Sequence, residues 1–293
     1  MTFRKILCPI DFSPGSQQAM RAAVRLAHEA EAELVLVHAW YVQPIAFAGE
    51  YTFPADVVRQ MSDDAKHGLE VASREATSLG AKRVSAKLVI GPPWSTIVGM
   101  LEDATFDLVV LGTHGRTGLA RILLGSVAEM VVRHAPCSVL AVRPDGEVKA
   151  FTNILCPVDF SESSQQAVDL AADVVTPGGA GITLLHVIEL PVAYTVEAPP
   201  VEFARDLDKR AAKSLDEWAV RLRARVAVPV TTRTRSGRPG AQTLAVLGDD
   251  PKIDLVVMGS HCRTGLTRVL LGSVVEKVVR HARCPVLVAR KRA

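Results

Sequence analysis

The sequence predicts two tandem α/β domains, each a parallel sheet covered on both faces by helices. Three observations carry this. One fingerprint occurs twice: Ile6-Leu7-Cys8-Pro9-Ile10-Asp11-Phe12-Ser13 lines up with Ile154-Leu155-Cys156-Pro157-Val158-Asp159-Phe160-Ser161, 148 residues on. Gly112, Gly125 and His134 likewise recur 147 residues on as Gly259, Gly272 and His281. A period this long means tandem domains, because solenoid repeats are much shorter. Within each half, apolar runs alternate with helical patterns, and the runs are apolar throughout. Strands apolar on both faces belong in a parallel sheet sandwiched by helices. The domains are expected at 1–144 and 150–293, joined by the polar stretch Arg143-Pro144-Asp145-Gly146-Glu147.

In the first half, strands are expected at Ile6–Ile10, Leu34–Ala39, Ala86–Ile90, Leu108–Leu111 and Val139–Val142. Ala19, Ala22, Ala23, Leu26, Ala27 and Ala30 trace one face of a first helix. A longer helix is expected from Ala55 to Leu79, stopped by Gly80. A third covers Thr96–Leu101, and a fourth starts at Ser126 and ends near His134-Ala135-Pro136. The second half repeats the order.

Composition narrows the function. The chain of 293 residues is 48% hydrophobic and 22% charged, as expected of a globular chain with ample core. Its net charge is only +3 and aromatics are 5%, with arginines scattered along helices, which argues against nucleic-acid binding. No apolar run is long enough to span a bilayer. Met1-Thr2-Phe3-Arg4-Lys5 leads straight into strand-like sequence, so no signal peptide and a cytoplasmic location are expected. Of the five cysteines, Cys8 and Cys156, and Cys137 and Cys284, occupy matching places and read as small buried hydrophobes.

The chemistry concentrates after the fourth strand of each half. Leu108-Val109-Val110-Leu111 empties into Gly112-Thr113-His114-Gly115, and Gly125-Ser126 follows after nine more residues. The second copy runs Gly259-Ser260-His261-Cys262 to Gly272-Ser273. A strand opening into a glycine loop and then a helix start presents backbone N–H groups and a positive helix end, which suit a phosphate. The N–H groups of Gly125, Ser126 and Val127, with the Ser126 hydroxyl, are expected to bind the phosphates; Gly112 and Gly115 are expected to let the backbone approach them. Ligands of such sheets bind beyond the carboxyl ends of the strands, where the strand order reverses. Asp11 and Asp159 close the first strands and face that crevice if strands one and four are neighbours. Each reads as a carboxylate for a ribose or for phosphate-bound Mg2+, with a helix N-cap as the alternative; Ser13 and Ser161 can cap instead.

These residues resemble the universal stress protein family in its tandem form. The resemblance rests on Gly-x-x-Gly-x9-Gly-Ser followed by Val-x-Glu at Gly112–Glu129, the strand-one Pro-x-Asp-Phe-Ser, the strand-two Leu-x-His, and the last strands Pro-Cys-Ser-Val-Leu-Ala-Val and Arg-Cys-Pro-Val-Leu-Val-Ala. It implies Rossmann-like domains with five parallel strands ordered 3-2-1-4-5, bound ATP with Mg2+, and pairing through the fifth strands, as a homodimer or within one chain. It also implies a ligand lined by Ile10, Asp11, Ala39, Gly112, Thr113, Gly115, Arg116, Gly125, Ser126 and Val127, with the Ala39 backbone at the adenine edge. The second set is Val158, Asp159, Val187, Gly259, Ser260, Arg263, Gly272, Ser273 and Val274.

Several residues carry plainer readings. His38 and His186 sit in apolar runs as structural histidines, and His134 and His281 fall at helix C-termini, where positive charge is favoured. His114 and His261 have no partner at metal spacing. Arg116 and Arg263 are placed to reach phosphates but suit a solvated loop as well. Cys262 replaces the second glycine of the motif and is expected to weaken ATP binding in the second half. The leading function is a nucleotide-dependent regulatory or stress-response module with slow or no hydrolysis, acting on a regulatory protein partner. The alternatives are an ATPase or phosphotransferase in the same crevice, and a structural interaction protein.

Overall fold

A computed structural model of the chain describes residues 3–41, 55–103, 105–113, 124–144, 150–189, 201–260 and 272–290. It divides into two compact units, one running to Asp145 and the other from Gly146, with Ser138–Ala141 grouped with the second.

The first half of the chain, called the first unit with its last strand included, runs β1 (Lys5–Pro9), α1 (Pro14–Ala30), β2 (Glu33–Trp40), α2 (Ala55–Ser78), β3 (Arg83–Ile90), α3 (Pro93–Asp103), β4 (Leu108–Gly112), α4 (Ser126–His134) and β5 (Ser138–Val142). Its strand order is β3-β2-β1-β4-β5. β1 is central, with Ile6 opposite Leu34 on one side and Leu108 on the other, both pairings parallel. The chain therefore steps outward from β1 in one direction and then in the other, and the reversal falls between β1 and β4. The second unit repeats this with β6 (Asn153–Val158), α5 (Glu162–Val174), β7 (Gly181–Ile188), α6 (Val201–Arg223), β8 (Val230–Ser236), α7 (Pro239–Asp249), β9 (Leu255–Gly259), α8 (Ser273–His281) and β10 (Val286–Ala289). Its order is β8-β7-β6-β9-β10, with parallel pairing throughout.

The elements form where the periodicity placed them. Ser13 caps α1 by accepting from the Ser16 N–H, and the buried face carries Ala19, Ala22, Ala23, Leu26 and Ala27. Small side chains on that face let α1 lie close to the sheet. Gly80 ends the α2 segment at φ 107, a conformation open to glycine at little cost. Two expectations need correction. β3 starts at Arg83 rather than Ala86, and no residue in it is fully buried. β8 is similarly exposed beyond Val230. Both end their unit's strand order on the α2 or α6 side, so they lack the second neighbour that buries β1, β4, β6 and β9. α3 starts at Pro93, because proline lacks the N–H that a first turn leaves unused.

One carboxylate in each unit fastens the sheet below the crevice. Asp107, just before β4, accepts from the Arg4 N–H at 2.7 Å and the Lys5 N–H at 2.8 Å. Asp254 accepts from the N–H and hydroxyl of Thr152 at 2.8 and 2.7 Å, and from the Asn153 N–H. No helix among the described residues is long and apolar enough to cross a membrane.

Candidate functional site

In the first unit a cavity of about 280 Å³ opens over the ends of β1, β2 and β4. Ile10, Asp11, Ala39, Gly112, Gly125, Ser126 and Val127 all line it, so the fold brings most of the first expected set together. The site starts with a strained turn. Asp11 Oδ1 accepts from the Ser13 N–H at 3.0 Å and the Ser13 hydroxyl at 2.6 Å, which holds Phe12 at φ 64. That left-handed conformation costs a side-chain-bearing residue roughly 1–2 kcal/mol. It persists because the ring is fixed on two sides. It lies against His38, with centroids 4.6 Å apart, and over Gly68, where a Cβ would come within 2.8 Å of it. His38 in turn donates from Nδ1–H to the Ile10 carbonyl at 2.7 Å, which fixes its tautomer. It is a buried histidine with a partner, as its apolar context implies.

The second unit repeats the turn with one hydroxyl redirected: Ser16 donates to the Ser13 carbonyl, whereas its counterpart Ser164 donates to the aspartate. Asp159 Oδ1 accepts from the N–H and hydroxyl of Ser161 and from the Ser164 hydroxyl at 2.6 Å. Phe160 sits at φ 64, stacked on His186 at 4.5 Å, and His186 Nδ1–H donates to the Val158 carbonyl. Ser13 and Ser161, not the aspartates, cap α1 and α5.

α4 and α8 are left open by contrast. Their N-caps are Gly125 and Gly272, and neither helix has a side-chain cap hydrogen bond. The first-turn N–H groups of an α-helix have no acceptor inside the helix, so α4 presents donors and a positive dipole end at a cavity lined by Ser126 and Val127. One expected donor is already used. The Gly125 N–H donates to the Thr113 carbonyl at 2.7 Å, and the Gly272 N–H to the Ser260 carbonyl at 3.2 Å. These bonds pin the returning chain, which leaves Ser126 and Val127 as the available N–H groups. Thr113 and Ser260 are buried, and neither is in its cavity's described lining.

Gly112 lines the cavity and has a packing role besides. A Cβ there would stand 2.7 Å from the Gly15 carbon and 2.8 Å from its oxygen, so the missing side chain admits the backbone of α1. At Gly259 the neighbour is Ser163, with backbone carbon and oxygen at 2.6 Å. Both glycines serve close helix–strand packing at the lip of the cavity.

The second cavity is larger, about 560 Å³, and is lined by Val158, Asp159, Val187, Gly259 and Val274 from the expected set. Gly272 and Ser273 stand at the start of α8 but are not in that lining. Gly115, Arg116 and Arg263, with His114, His261 and Cys262, lie outside the described residues.

Sequence reasoning missed the far walls. Pro93 and Ile97 of α3 line the first cavity; Pro239 and Thr243 of α7, with Leu207, Arg210 and Ser214 of α6, line the second. The signal available was the proline opening α3 and α7 in both halves. Cys8, Cys137, Cys156 and Cys284 are buried thiols that form no disulfide. Burial pushes the Cys8 and Cys284 thiols up to about 12 and raises Cys156 as well. Among the described residues, no group of three or more His, Cys, Asp or Glu could hold a metal ion.

The universal stress protein family profile matches residues 2–143 and again 150–290. The chain belongs to the universal stress protein family. A universal stress protein of Mycobacterium tuberculosis is 30% identical over 297 residues, covering 98% of this chain and 96% of its own length. One from Mycolicibacterium smegmatis is 29% identical over 299 residues, covering 98% and 97%. The crystal structure of a universal stress protein from Archaeoglobus fulgidus superposes with a TM-score of 0.70 at 20% identity, covering 99% of this chain and 98% of that one, a likeness of fold. Both family matches coincide with a β-α unit carrying its own crevice, so the tandem form of the family is complete here in both halves.

Proposed function

We propose that each unit binds a nucleotide in its crevice, ATP in the first, and that the protein acts as a nucleotide-dependent regulatory module rather than a turnover enzyme. The observation that carries this is the open N-terminus of α4, with Ser126 and Val127 lining the same cavity as Asp11 and Ala39. Phosphates sit at the Ser126 and Val127 N–H groups, the ribose beside Asp11, and the base against Ile10 and Ala39. Asp11 is the lining carboxylate that would help hold a Mg2+, which would offset phosphate charge. The aspartate Oδ1 already accepts two hydrogen bonds within its turn, which suits a positioning group better than a proton-transferring one. The signal passes to a regulatory protein partner. Association through the fifth strands, within the chain or between two chains, belongs to the same proposal and is checked by sedimentation.

Ser126→Pro tests the site with little damage to the fold. Gly125 stands at φ −61, ψ 143, the conformation preferred before a proline, and proline is at home at the first helical position. The substitution removes one N–H and one hydroxyl from the anion end. ATP affinity, measured by calorimetry on the full chain, is expected to fall about tenfold or more, with the unfolding midpoint little changed. Unchanged affinity would remove the α4 N-terminus from the site. Labelled ATP incubated with excess protein should stay intact over many binding lifetimes; rapid release of phosphate would bring the ATPase reading forward.

A further inference from the structure

The two cavities keep one end and differ at the other. β2 ends in Trp40-Tyr41, whereas β7 ends in Ile188-Glu189, and Asp64 of α2 is matched by Arg210 of α6. Glu189 and Arg210 both line the second cavity, beside Val187, Ile188, Leu207 and Ala211 and the polar Ser214. Among the described residues neither makes an ion pair or a side-chain hydrogen bond. In the first unit, Asp64 accepts from Gln60 Nε2 at 2.8 Å and is absent from the described lining, as is Tyr41.

Topology fixes which end this is. In the order β8-β7-β6-β9-β10, the anion end follows β9 at the start of α8, on one side of β6. Glu189 follows β7, on the other side of β6, and Arg210 comes from α6, which packs on β7 and β8. Asp159 stands between them at the end of β6. A nucleotide with its phosphates at α8 and its ribose at Asp159 therefore brings its base to Glu189 and Arg210.

We propose that the second unit is a guanine-nucleotide site, while the first takes adenine. This rests on the nucleotide reading above. A carboxylate is an acceptor with two oxygens, and guanine offers two adjacent donors, N1–H and the N2 amino group. The neighbouring O6 is an acceptor that a guanidinium can serve. Adenine offers one donor, its 6-amino group, beside the N1 acceptor, which faces the second carboxylate oxygen lone pair to lone pair. A site built to bond a donor discriminates strongly against a ligand that lacks it. The first cavity has neither charge on its described base-side wall, so it rewards an adenine that stacks on apolar surface.

The test uses the full chain carrying Trp40→Phe and Trp94→Phe, which leaves Trp218 as its one tryptophan. Trp218 packs edge-on against Phe160 of the second cavity, with ring centroids 5.6 Å apart, and so reports that site. Trp218 emission is titrated with GTP and with ATP, and equilibrium dialysis counts each nucleotide bound per chain. The proposal expects GTP to bind the second site about tenfold more tightly than ATP, or better. It also expects one GTP per chain to be retained against saturating ATP. Glu189→Gln should abolish that preference by weakening GTP and strengthening ATP, because the amide offers adenine N1 a donor, and Arg210→Ala should abolish it by weakening GTP without weakening ATP. Equal affinities, or equal loss of both nucleotides in Glu189→Gln, would overturn the guanine assignment and leave nucleotide binding standing. No bound purine nucleotide in dialysis would overturn both.

Discussion

Gly112→Ala separates a packing glycine from a ligand glycine. The new methyl would stand 2.7 and 2.8 Å from the Gly15 backbone carbon and oxygen and 3.1 Å from the Ser16 nitrogen, where ordinary contact begins near 3.4 Å. The obstacle is backbone, so no rotamer change relieves it, and β4 and α1 must separate by about 0.7 Å to bring the 2.7 Å contact to 3.4 Å. Overpacking of this kind costs roughly 1–3 kcal/mol. Because the displaced atoms are the first turn of α1, its Ser13 cap is disturbed too, and we expect about 3 kcal/mol. For a unit of this size that lowers the melting midpoint by roughly 6–12 °C. Gly99→Ala in α3 is the matched control: a Cβ there meets nothing within 4 Å, so alanine should stabilise by roughly 0.5–1 kcal/mol. Urea unfolding and calorimetric melting of both variants, with ATP binding alongside, decide the matter. A Gly112→Ala protein as stable as the parent refutes the packing argument, most clearly if ATP affinity is lost as well.

Phe12→Gly should be more stable than Phe12→Ala by about 1 kcal/mol, because φ 64 penalises any Cβ; the usual order, alanine above glycine, would show that the turn relaxes once the ring is gone. Asp254→Ala strips the acceptor from Thr152 and Asn153 and should cost roughly 1–3 kcal/mol in urea unfolding, with ATP affinity at the first site unchanged. Cys8 stays protonated in the fold up to about 12, whereas its reference value is 9.0. Its stabilising contribution is therefore full below pH 9 and declines as pH rises toward 12. By pH 10 it has lost about 1.4 kcal/mol, so Cys8→Ala should shed that much less stability than the parent between pH 8 and 10. Equal losses would show that the thiol titrates while folded.

Sheet, helices and crevice were legible because they follow from local pattern: uniformly apolar runs, an alanine face on α1, glycines after helices and strands. The motif after β4 was legible as a site, but its division of labour was not. Spacing alone cannot tell that the Gly125 N–H turns back to the Thr113 carbonyl, or that the missing Gly112 side chain makes room for the α1 backbone, since both depend on where a distant backbone passes. The left-handed Phe12 was equally hidden. Its conformation is imposed by Asp11, Ser13, His38 and Gly68 together, and a phenylalanine gives no local sign of it. The α6 wall was missed because Arg210 and Glu189 look like ordinary solvated charges until β7 and α6 are packed side by side.

Duplication leaves a record of what each part of the crevice must do. The turn at Phe12 and Phe160, the His38 and His186 bonds to strand-one carbonyls, the packing glycines and the open α4 and α8 are the same in both units. The changes gather at the base side: Tyr41 against Glu189, Asp64 against Arg210. Two separate causes then predict weaker ATP binding in the second unit, and they are distinguishable. Cys262 belongs by sequence to the phosphate loop, so Cys262→Gly should raise ATP and GTP affinity by the same factor, since both carry the same phosphates. Glu189 and Arg210 meet the base, so substitutions there should move GTP and ATP by different factors, Glu189→Gln in opposite directions. A Cys262→Gly variant that recovers ATP alone would place the discrimination in the loop and remove the reason for a guanine site.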